Sequence, residues 1–115
     1  MDKNLESVLG KLDVIVNNYH VGKIDCLHLL LEANKHITTI VYYLGKERSN
    51  YHKKWQEEVF NSVREGNSVS RAENEAHVSY PELYLLRQIV NAAEGVSMQM
   101  AREIKQLTKE YEQHN

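Results

Sequence analysis

The sequence predicts an all-α protein, an elongated helical bundle or helical hairpin with coiled-coil-like seams. Three observations predict it. In the C-terminal third, apolar and small residues recur at intervals of 3 and 4: Leu83, Leu86, Val90, Ala93, Ser97, Met100, Ile104, Leu107 and Tyr111. That period holds one stripe of a helix against a partner along its length. A second seam of the same spacing runs through the middle as Leu27, Leu30, Asn34, Ile37, Val41, Leu44, Arg48, Tyr51 and Trp55. Finally, one proline and five glycines in 115 residues leave little turn chemistry, which favours few, long elements in a single domain.

The first element is an amphipathic helix over about residues 3–19, because Leu5, Val8, Leu12, Ile15 and Tyr19 share one face and Leu9 and Val16 widen it. Gly22 is placed to end it, and Asp25 to cap the next. The middle seam then predicts a helix over about 26–64. Residues 38–43 contain a cluster of β-branched and aromatic residues, but the seam continues on both sides, so helix is the better reading. Gly45 is a position for a bend, since glycine costs about 1 kcal/mol relative to alanine inside a helix.

Glu65-Gly66-Asn67-Ser68 reads as a turn. Ser70 and Glu73 have capping-box spacing, which starts a third helix near residue 70 that ends near 112. Extended backwards, the C-terminal seam collects Val69, Ala72, Ala76 and Ser79, in register across Pro81. Pro81 costs a helix one hydrogen bond and clashes with the preceding turn. The region is therefore either one kinked helix or two nearly collinear ones, with Ser79 available as the cap of the second.

Composition narrows the function classes. A net charge of −2 argues against a dedicated duplex-DNA binder. The charge is unevenly spread, at a local +3 over residues 46–55 and −4 over 56–82. The single cysteine, Cys26, cannot close an internal disulfide, which makes a reducing, cytoplasmic setting the expectation. The polar N-terminus reads as carrying no secretory signal. No apolar run approaches the roughly 20 residues needed to span a bilayer, so no membrane partner is expected.

No catalytic residue, metal site or cofactor site is read from the sequence. The six histidines (His20, His28, His36, His52, His77, His114) include no pair at the i, i+3 or i, i+4 spacing of a helix-borne metal site. The glycines form no phosphate-binding loop, and no carboxylate pair suggests acid–base chemistry. The candidate contact surface is the stretch holding Lys46, Arg48, Tyr51, Lys53, Lys54 and Trp55. Cations interleaved with rings suit single-stranded nucleic acid, whereas the seam positions of Tyr51 and Trp55 suit a packed core. Asn34 and Arg48 are polar residues within a seam, where such groups fix register or oligomer state.

From about residue 42 to 113 the layout resembles a class of short, all-helical proteins encoded by bacteriophages and mobile elements. The shared features are a helix bearing Tyr51 and Trp55, the turn at residues 65–68, a Ser/Ala-rich helix start at Ser70, Ala72 and Ala76, and a long C-terminal helix. In organisation it is similar to the UvsY-type recombination mediators of T4-like phages. That resemblance implies an oligomer that loads a recombinase on single-stranded DNA, and a bacterial host cytoplasm as location.

Together these readings make a non-enzymatic interaction protein the leading expectation. It would bind an unidentified protein partner, for example a host or defence factor that it inhibits. The alternatives are a single-stranded nucleic acid binder, disfavoured by net charge, and an oligomer that sequesters a small molecule. A homodimer is expected, with the Leu83–Tyr111 seam at its interface.

Overall fold

The computed structural model describes residues 2–114. One of the six histidines, His114, has its side chain outside the described residues. Among the described residues the chain forms four helices and no strand: α1 (Lys3–His20), α2 (Leu27–Arg64), α3 (Val69–Ser79) and α4 (Pro81–His114). The all-α expectation holds. The molecule is a rod of 70 × 26 × 19 Å. No helix among the described residues is long and apolar enough to cross a membrane.

The elements follow from local chemistry. Asp2 caps α1 by accepting a hydrogen bond from the Asn4 amide at 2.7 Å. At the other end Gly22 takes φ +80°, Lys23 N–H bonds back to Asn18 C=O, and Gly22 N–H to Tyr19 C=O. This is the paired closure that a left-handed glycine allows. The end of α2 repeats it: Gly66 at φ +103°, Asn67 N–H to Ser62 C=O, Gly66 N–H to Val63 C=O. Asn67 does not itself take positive φ.

Several expectations about helix ends are corrected. Cys26, not Asp25, occupies the α2 N-cap, and its side chain makes no capping bond. The capping box at Ser70 is not used. Ser68 caps α3 instead, its hydroxyl accepting from Arg71 N–H at 3.2 Å, because the tight Gly66 turn ends early enough for the helix to begin at Val69. Ser79 does not cap α4. It is the last residue of α3, and its hydroxyl donates to Glu58 Oε1 at 2.8 Å. The break falls on Tyr80, at φ −127° and ψ 64°. Pro81 thus becomes the first residue of α4, where its missing N–H is harmless.

Helix α2 passes through Gly45 unbroken. An added Cβ at Gly45 would meet nothing within 4 Å, whereas Gly66 sits where side chains are strained. Gly45→Ala is therefore expected to raise stability by about 0.5–1 kcal/mol, and Gly66→Ala to lower it by about 1–2 kcal/mol. Urea denaturation of both variants tests this opposition. Equal shifts in midpoint would show that backbone conformation does not govern these sites.

The chain folds as a hairpin. Helices α3 and α4 both run back along α2, with Trp55 beside His77, Ser79 bonded to Glu58, and Ser97 bonded to Asn34 further along. The seam register survives the break because both helices pack on the same long partner. Where α3 meets α2, Ala72 and Ala76 are fully buried and let the backbones approach closely. Helix α1 folds back onto the other end. Its Tyr19 hydroxyl donates to Glu103 at 2.7 Å, and burial together with that carboxylate pushes the Tyr19 pKa up to about 12.

The core lies where α1, α2 and α4 meet. Leu5, Leu30, Ile37, Leu44, Leu86 and Met100 are fully buried there. Each contributes on the order of 1.5–3 kcal/mol relative to exposure. At the edge of this core the Ser97 hydroxyl donates to Asn34 Oδ1 at 2.6 Å. A polar pair bridging two seams satisfies itself in only one alignment of α2 and α4, and so selects register.

Candidate interaction surfaces

Most of the C-terminal seam faces inward within the chain. Leu86, Val90, Ala93 and Met100 are buried in the core that α4 forms with α2 and α1, and Leu83 is buried beside the cleft at Trp55 and His77. Ser97 is half-buried in its bond to Asn34, and Ile104 and Leu107 pack at the edge of the core. Only Tyr111, 66% exposed, faces water. Within the single chain, the partner of the buried part of this seam is α2.

The basic–aromatic stretch divides by helix face. Lys46, Lys53 and Lys54 are exposed and Arg48 is half-buried. Tyr51 turns inward against the core, with its pKa raised by burial and then by the nearby carboxylates of Glu82, Glu47 and Asp2. Trp55 is partly buried at the junction of α2, α3 and α4. Its ring stacks on His52 at 5.8 Å and lies tilted to His77 at 5.5 Å. Its indole Nε1 is buried and has no acceptor among the described residues. A cleft of about 220 Å³ opens beside it, edged by Glu73, Tyr84 and Arg87.

The rings that accompany the cations into water are therefore others. Tyr42 is 67% exposed and Phe60 is 65% exposed. They lie about five turns apart and so share one face of α2, some 27 Å from each other. Each carries a cation one turn on: Lys46 Nζ stands 4.5 Å from the Tyr42 ring centre, and Arg64 Cζ 6.0 Å from that of Phe60. Lys35 and Lys53 fall on the same stripe and are exposed.

The acidic side chains of α2 are spread around the helix: exposed Glu57, four residues after Lys53 and three before Phe60, falls beside the cations of this stripe, whereas Glu47 and Glu58 lie on other faces. Glu57 and Glu58 line a polar cleft shared with Glu65 and Glu75, between α2 and α3. After burial, the charge of Glu47 contributes to the raised pKa values of Tyr43 and Tyr51. Tyr42 and Phe60 were not among the expected contact residues. They belong to neither seam, and their positions on the wheel of α2, opposite its apolar stripe, are the signal that finds them.

Among the described residues no group of three His, Cys, Asp or Glu side chains is placed to hold a metal ion. Cys26 is exposed. No known protein-family model matches the chain, and comparison with curated proteins and with solved structures finds no match.

Proposed function

We propose that this is a non-enzymatic interaction protein that binds a partner protein through the outward stripe of α2. The observation that carries the reading is the pair of large, mostly exposed rings, Tyr42 and Phe60, each beside a cation on a rigid helix. Aromatic residues and arginine concentrate at the energetic centres of protein interfaces. Four cations on the stripe, Lys35, Lys46, Lys53 and Arg64, outnumber its one carboxylate, Glu57, and favour a partner surface of acidic character. Inhibition of a host or defence factor in a bacterial cytoplasm is one activity such binding would serve, in keeping with the phage-like layout.

The test pairs two variants with affinity capture from bacterial lysate and quantitative mass spectrometry. Tyr42→Ala/Phe60→Ala and Lys46→Glu/Lys53→Glu change exposed side chains, so melting curves should move little. A partner enriched by the wild-type chain should be lost by both. Retention of that partner by both variants would remove the stripe from the interface.

The same cations and rings also support a second reading, binding of single-stranded nucleic acid, with phosphates on the lysines and bases on the rings. Anisotropy of a labelled oligothymidylate separates the two. For a nucleic-acid binder, removing Lys46 or Lys53 should each flatten the salt dependence by about one unit. An oligonucleotide that stays free at low salt excludes this reading.

A further inference from the structure

Beside the Tyr80 break, three helices share the cleft of about 220 Å³. Helix α2 lends it His52 and Trp55, α3 lends Glu73 and His77, and α4 lends Tyr84 and Arg87. The four residues from α3 and α4 keep the 3-4 spacing through Tyr80, one position beyond the buried seam, so they form one edge of the cleft. The walls are rich in rings. His52 stacks on Trp55 with the ring planes 11° apart, His77 meets the same indole at 45°, and Tyr84, which accepts a hydrogen bond from Gln88 Nε2 at 2.9 Å, stands at the rim. Four rings around one small hollow suit a flat ring. A cavity of about 150 Å³ takes up benzene, so this one admits a single larger ring system and little more.

The polar groups of the cleft lack partners. Among the described residues neither Arg87 nor Glu73 is in an ion pair, and the indole N–H of Trp55 is buried without an acceptor. Arg87 presents a planar fork of donors that matches a carboxylate or a phosphate. Glu73 presents an acceptor, and each neutral imidazole presents one donor and one acceptor. A wholly apolar ring would leave all of these unmatched. A ring with a polar edge and a negatively charged group would match them.

We infer that this cleft binds a small heteroaromatic anion: one flat ring system with N–H groups on its edge, carrying a carboxylate or a phosphate. The ring lies among Trp55, His77 and Tyr84, Glu73 accepts from its edge, and Arg87 holds the acidic group at the mouth. The site shares no residue with the outward stripe of α2, so it stands independently of the partner-binding proposal.

Isothermal titration calorimetry of the full chain with two pairs of probes tests the site: orotate against uracil for the carboxylate, and AMP against adenosine for the phosphate. At least one anion should bind with a dissociation constant below about 1 mM, and about tenfold tighter than its neutral counterpart. The anion that binds identifies which acidic group the site takes. Trp55 is the only tryptophan, so its indole N–H gives one cross-peak in a proton–nitrogen NMR spectrum, and that peak should move as the site fills. Arg87→Gln changes an exposed side chain and should keep the melting curve while abolishing the preference for the anion. Glu73→Ala should weaken the anion and its neutral counterpart alike. The Lys46→Glu/Lys53→Glu variant is the control and should bind as the wild type does. An absence of heat from both anions, an indole peak that stays in place, or an anion preference that survives Arg87→Gln would each overturn the assignment. So would loss of binding in the control.

Discussion

Met100→Asp should leave a chain without a cooperative unfolding transition at 25 °C. Met100 is fully buried on α4 within the core formed with α1 and α2. The substitution forfeits about 2 kcal/mol of apolar burial. It also places a carboxylate without a partner in an apolar site, at a further cost of several kcal/mol. Domains of this size hold only about 5–15 kcal/mol in total. Ile104→Asp should cost less, about 2 kcal/mol, because Ile104 packs at the edge of the core, where a carboxylate can turn to water. Urea titrations followed at 222 nm, with the mass measured alongside, check both. A folded monomer from Met100→Asp would mean that the seam joins copies of the chain and would contradict the packing described here.

Trp55→Ala should lower stability by about 3 kcal/mol, the low end for removal of a large aromatic, since the ring is only partly buried. The ring bridges the junction of three helices, touching His52 on its own helix and His77 on α3 and lining one cleft with Leu83 of α4. The alanine variant removes that bridge beside the Tyr80 break, so a loss of about 10–15 °C in melting temperature is expected. Trp55→Phe should be milder. It keeps most of the apolar surface and removes an indole N–H that has no acceptor among the described residues. An unchanged melting temperature in Trp55→Ala would show that α3 and α4 are held by other contacts, and would return the ring to the list of possible base-stacking groups.

The legible parts of this molecule are those encoded by periodicity. The 3-4 seams located α1, α2 and the long return path, because a residue's azimuth on a helix follows from its number alone. Small residues at Ala72 and Ala76 marked the place where α3 lies close on α2. Helix ends were less legible. Ser68 and Ser70 both have the chemistry of an N-cap, and the choice depended on where the Gly66 turn released the chain. Cys26 occupies a cap position that residue preference assigns to Asp25, since α1 and the loop after it set where α2 begins.

The candidate surface was legible in half. Exposure of Lys46 and Lys53 follows from their distance from the apolar stripe. The rings on that face, Tyr42 and Phe60, required α2 to be viewed as one continuous helix through Gly45.

By itself the sequence determined that this chain is helical, which stripe of each helix is apolar, and which residues pack. A seam, however, specifies only that a helix has a partner. It carries no label for whether that partner is in the same chain or another, because the same apolar transfer free energy is gained either way. The tertiary structure decided that the Leu86–Met100 seam packs on α2 within one molecule, aligned by the Asn34–Ser97 bond. Once that pairing is made, the unsatisfied surfaces move elsewhere, to the cleft beside Trp55 and the outward stripe of α2. What remains exposed is a remainder left by long-range packing, and no local pattern of residues contains it.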